Sequence, residues 1–115
     1  MYQFSYADIQ TDAVADAKDR ERQVLSRSIE LLLSARDKGH NSLEAVNALL
    51  FLNRAWTIFL DDLASSENAL PPELRANLIS IGLWLLREAE DIRQGRSDNF
   101  EGLIEISQII HDGIR

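Results

Sequence analysis

The side chains of this sequence best equipped for chemistry are two histidines and a scatter of carboxylates. His40 stands in a loop pattern beside Gly39 and His111 near the end of the chain, and neither has a second nitrogen or sulfur ligand at metal-closing spacing. There are no cysteines, which removes thiolate zinc sites, disulfide frameworks and cysteine nucleophiles. A di-iron bundle would need paired Glu-x-x-His motifs, but Gln108 precedes His111 by three residues and Asp37 precedes His40. Asp61 and Asp62, and Glu88, Glu90 and Asp91, form acidic groups. Acid–base catalysis needs a carboxylate held in a partly dry cleft near its partner. These groups read instead as solvated helix faces, with Arg87–Asp91 and Glu90–Arg93 at pairing distance along a helix. The serines lack a nucleophile elbow, and Gly82 stands alone rather than in a phosphate loop. The reading is of a non-enzyme with no catalytic residue, metal or cofactor.

The elements that carry these residues are helical. From about Asp12 to Lys38 the chain holds strong helix formers with no Gly or Pro, and Val24, Leu25, Ile29, Leu32 and Leu33 recur at helical spacing before Gly39 stops it. Asn41 with Glu44 has the pattern of a capping box for a helix over about 42–64, with Val46, Leu49, Leu50, Trp56, Leu60 and Leu63 on one broad stripe. After SSENALPP a third helix runs over about 72–94, its inner face Leu74, Leu78, Ile81, Leu85, Ala89 and Ile92. Ser97 or Asp98 can cap a fourth over about 98–114, with Phe100, Leu103, Ile106, Ile110 and Ile114 as its stripe. The expected fold is all-α: one domain, an antiparallel bundle of about four helices behind an extended aromatic segment over 1–11.

The formal charge of -7 opposes direct nucleic-acid binding, because the mean field repels phosphates. Half of the Lys and Arg, namely Lys18, Arg20, Arg22, Arg27, Arg36 and Lys38, fall on the first helix and could be read as an RNA-facing stripe. Asp16, Asp19, Glu21, Glu30 and Asp37 are interspersed, so the helix is nearly neutral and reads as a solvated face. The longest strongly apolar uncharged run, Ala76 to Leu86, is far short of the roughly 20 residues a membrane helix needs, and no secretory pattern opens the chain. The expected location is the cytoplasm, away from the membrane.

Two stretches have apolar side chains to spare. In LISIGLWLL, residues 78–86, a helix of two and a half turns is left almost no polar side, so Ile79, Leu83 or Trp84 would face water unless something covers them. Gly82 would let another backbone approach there. The second is MYQFSY, where Tyr2, Phe4 and Tyr6 alternate. Either this segment covers the apolar face as a strap, or the face is a groove for another helix and the segment a displaceable cover. Homodimerisation through the same face is the plainer alternative.

The opening MYQFSYADIQ, the run DAKDRERQ, the centre RAWTIFLDDLASSENALPPELRANLISIGLWLLREAE and the tail NFEGLIEISQIIHDGIR resemble the FlaF family of flagellar biosynthesis regulators of alphaproteobacteria. The resemblance spans essentially the whole chain and carries no catalytic signature. It implies a cytoplasmic helper that promotes flagellin production and export as a flagellin chaperone, working alongside the FlbT flagellin-translation regulator. The alternative it leaves is post-transcriptional control of flagellin synthesis, on the messenger RNA or through such a partner. On the chaperone reading a terminal helical segment of flagellin packs around Ile79, Gly82, Leu83 and Trp84, with Phe51 or Phe59 as a second wall, because disordered ends fold by laying an apolar helical face into a groove.

Overall fold

The computed structural model describes residues 6–114. Four helices make it up: α1 (Tyr6–Lys38), α2 (Leu43–Ala64), α3 (Pro72–Arg93) and α4 (Phe100–Gly113). No strand occurs among the described residues. α1 begins six residues before the expected Asp12, so residues 6–11 are helical, not extended. That stretch, YADIQT, holds no Gly or Pro to stop a helix running back from Asp12. Tyr2 and Phe4 of the expected strap lie outside the described residues.

The turns are set by local chemistry. Gly39 (φ 91°) and Gly95 (φ 76°) adopt the left-handed backbone that closes α1 and α3. α2 is capped by Ser42, whose hydroxyl accepts from the Ala45 backbone N–H at 3.1 Å, one residue after the expected Asn41. α4 is capped by Asn99, accepting from the Gly102 N–H at 3.0 Å, where Ser97 or Asp98 was expected. Ser97 is engaged elsewhere, donating to Glu88 at 2.6 Å. In the α2–α3 connection Arg75 donates to the Ser65 and Asn68 carbonyls, which gathers the loop against the first turn of α3.

Packing follows the chain round: α1 lies against α2 and α4, α2 against α3, and α3 meets α4 only sparingly. α4 runs antiparallel to α1, since Arg36 reaches Glu101 while Arg22 donates to the Ile114 carbonyl. Small buried side chains, Ser28 and Ala35 on α1 and Ala45, Ala48 and Ala55 on α2, let those two helices come close. Around them Leu25, Leu32, Leu49, Leu52, Trp56, Leu85, Ile92, Phe100 and Leu103 form the core. Two residues assigned to the inner stripe of α2, Val46 and Leu50, are instead exposed, at 57% and 46%. Ala45, Ala48, Leu49 and Leu52 already fill the inward side of that half of the helix. Leu74 of α3 is likewise exposed. α2 is the one described helix long and apolar enough to cross a membrane; it is sandwiched between α1 and α3.

Gly82 marks the closest approach of α3 to α2. A Cβ there would stand 2.8 Å from Trp56 Cε3 and 2.9 Å from Leu60 Cδ2. The Trp56 ring is buried and held edge-on to Phe59 at 5.3 Å between centroids, so it has little room to move. Gly82→Ala gains about 1 kcal/mol in helix propensity but overpacks the seam, typically a loss of about 1 to 3 kcal/mol. A net loss of stability in urea denaturation is expected, and a more stable variant would contradict this packing.

Midway along α1, near the last turn of α2, the half-buried Glu21 has its carboxyl pushed above the usual range, first by burial and then by the Asp62 charge, with Lys18 partly offsetting both. A carboxyl whose folded-state pKa is raised binds its proton more tightly folded than unfolded. Its ionisation therefore costs stability at neutral pH, and that cost disappears as pH falls through the raised pKa. Glu21→Gln should accordingly be more stable than the parent at pH 7, with the difference in melting temperature shrinking toward pH 4. A difference independent of pH would rule this out.

Candidate functional site

The two histidines that opened the sequence reading both find partners. His40 Nδ1 lies 3.0 Å from Asp98 across the bottom of the fold. His111 Nε2 is 2.9 Å from Ser26 Oγ, and its Nδ1 is 3.0 Å from Asp112 Oδ1. With Nδ1–H donating to the carboxylate, the hydroxyl donates to Nε2, the same order of groups as in a hydrolytic Ser-His-Asp relay. Ser26 stands in the middle of α1, however, where successive backbone N–H groups are spent on the helical ladder, leaving no donor pair for an oxyanion. The relay acts as a tether from α1 to α4. The Asp112 carboxyl is held below its usual pKa by His111 first and by Gln108 second. Among the described residues no three His, Cys, Asp or Glu gather to hold a metal ion.

Two further ties fasten α4 to α1: Arg22 to the Ile114 carbonyl, and Arg36 to Glu101 at 2.7 Å. With Arg27 on Glu30 at 3.2 Å, three of the six cations proposed as an RNA-facing stripe are occupied within the fold. On α3, Glu90 is paired with Arg93 as expected, at 2.6 Å, and its pKa is lowered to about 2 by the Arg93 and then the Gln94 hydrogen bonds. Asp91 pairs with Arg96 instead of Arg87.

α4 is thus bound along one flank to α1, while its other flank turns toward α3 without closing on it. On that flank Ile106 and Ile110 are half-buried and Ile109 is 67% exposed. The facing side of α3 follows from helical spacing of about 100° per residue, with Gly82 pointing at α2. Leu85, Ala89 and Ile92, in the half of α3 nearest the turn to α4, are buried. Further back along the same side Leu78 and Ile81 are only half-buried, and Leu74 is 44% exposed. Trp84 stands half-buried at the rim of this side. The contact between α3 and α4 is thus a sparse seam with apolar residues on both sides, and the α3 side grows more exposed from Ile92 back toward Leu74.

The predicted binding residues are divided by this geometry. Gly82 is buried against Trp56 and Leu60 and serves the α2–α3 contact. Ile79 and Leu83 each lie about 160° round α3 from Ile81, so they do not line the α3–α4 seam. Phe59 packs edge-on against buried Trp56. Phe51 lies about 140° round α2 from Trp56 and so faces away from α3. Neither phenylalanine forms a wall for Trp84. Tyr6 is the first residue of α1.

Sequence reasoning missed Ile106 and Ile110 as wall residues, assigning them wholly to the core. It also missed a second apolar surface, Leu43, Val46 and Leu50 on the α2 flank nearer α3, and Ile58 at 67% exposure. The signal was present: LEAVNALLFL is as crowded with apolar residues as LISIGLWLL.

Among curated proteins and solved structures no match to this chain is found. The family model described as "Flagellar protein FlaF" matches residues 2–114. That match takes in all four helices and both walls of the seam, and the chain belongs to the flagellar protein FlaF family.

Proposed function

We propose that this protein is a cytoplasmic flagellin chaperone that promotes flagellin production and export by seating a terminal helical segment of flagellin in the α3–α4 seam. The observation that carries the reading is the sparse contact between α3 and α4, beside which Ile81, Trp84, Ile106 and Ile110 pack on the core yet stay half-buried. An amphipathic helix supplies the missing face through residues at i, i+3, i+4 and i+7, and in doing so is kept from self-association. Flagellar family membership supports a flagellar client. Regulation of flagellin synthesis then follows from client occupancy, in company with a translation regulator such as FlbT.

Co-purification with full-length and C-terminally truncated flagellin tests this. Loss of the complex on truncation is the expected result, and no complex with either form removes the chaperone reading. Within the complex, Trp84→Ala should weaken binding by about 1 to 3 kcal/mol, as an aromatic anchor does. Leu83→Ala, on the opposite flank, should leave affinity within a factor of about two, since substitutions outside an interface core are near neutral. The reverse pattern would move the site to the α2–α3 flank.

A further inference from the structure

α2 carries apolar side chains on its outer side as well as its inner one. Half of the large apolar side chains exposed among the described residues lie on it, namely Leu43, Val46, Leu50 and Ile58. A helix apolar on both sides calls for a neighbour on both sides, and α1 and α3 serve only the inner one. On the outer side Phe51, Arg54, Ile58 and Asp61 follow one another at spacings of three, four and three, all within about 40° of the direction opposite Trp56. That is the spacing of a seam between two helices. Phe51 is half-buried, while Arg54, Ile58 and Asp61 are exposed. No residue of opposite charge stands three or four places along the helix from Arg54 or Asp61. Neither is ion-paired among the described residues, whereas the adjacent Asp62 is held by Asn68 at 3.1 Å.

We infer that the outer face of α2 is the contact between two copies of this chain, their α2 helices running antiparallel about a two-fold axis beside Ile58. An axis between Thr57 and Ile58 sets Arg54 of each copy against the partner's Asp61, twice by symmetry. Ile58 then meets the partner's Thr57 between the two ion pairs, and Leu50 and Phe51 meet the partner's Ser65 and Ala64. The charges identify the occupant as a second copy. Seven residues apart on one helix, Arg54 and Asp61 are about 10 Å from each other along its axis and cannot pair. Under a two-fold axis that reverses the helix the same two groups become complementary, whereas a parallel arrangement sets Arg against Arg and Asp against Asp. α2 is packed between α1 and α3, away from the α3–α4 seam, so this contact goes beyond the chaperone reading and does not depend on it.

The test is sedimentation velocity on the full chain over a concentration series from micromolar to millimolar, with each variant checked for folding by circular dichroism. The parent is expected to dimerise within that range, and Ile58→Glu, at an exposed position, to stay monomeric throughout. Arg54→Asp and Asp61→Arg each set like charges opposite one another twice over, so each should weaken the dimer about tenfold at low salt, and the double variant carrying both should return to within about threefold of the parent. A parent that is monomeric at every concentration, or a dimer that Ile58→Glu leaves intact, overturns the proposal. A dimer lost with Ile58→Glu but no stronger in the double variant than in the single charge reversals overturns the antiparallel pairing of Arg54 with the partner's Asp61.

Discussion

The close contact between α1 and α2 is the constraint on which the remaining packing depends. Ser28 and Ala35 on one helix and Ala45, Ala48 and Ala55 on the other are all buried, and their small size allows the larger Leu25, Leu32, Leu49 and Leu52 to close over the pair. Once this pair is formed, α1 has one inward flank left for α4 and α2 has one left for α3. A helix of 33 residues, about 50 Å long, accounts for most of the 57 Å long axis, and no other helix matches it. α4, at 14 residues, is too short to complete the ring along the whole bundle.

How α4 is attached then decides where apolar surface is left over. Three polar ties bind it to α1, through Arg22, Ser26 and Arg36, and together with Leu103 and Phe100 they orient the helix toward that side. α3 is held from the opposite side, where Gly82 receives the Trp56 ring. Each helix is drawn toward its own partner and the gap between them persists. Exposed ion pairs of this kind contribute little to stability; their effect here is on direction. The seam is therefore a consequence of unequal helix lengths and of two attachments that pull apart.

Half-buried Trp84, Ile106 and Ile110 stand beside the sparse contact between α3 and α4. The Ser26–His111–Asp112 chain shows why groups must be judged with their surroundings: the order of donors matches a hydrolase, yet a mid-helix serine has no free amides beside it. Its work is to hold the wall in which Ile106 and Ile110 stand.

The number and type of helices, and the family, were legible in the sequence because helical spacing, glycine stops and long runs of familiar residues are local properties. The ends of α3 were read to within a residue, since Pro72 and the glycine after Gln94 act on their own neighbours. Local reading faltered at α1, whose first six residues have nothing to end a helix, and at the caps, where Ser42 and Asn99 displaced neighbours of equal propensity. It could mark 78–86 as too apolar to be covered, but could not divide that stretch. Whether Trp84 stands with Ile106 or with Leu83 depends on where α2 touches α3, and Gly82 settles that by admitting the Trp56 ring. Periodicity says which residues share a face; only the packed structure decides which faces remain without a partner, because that depends on helix lengths and attachments far apart in the chain.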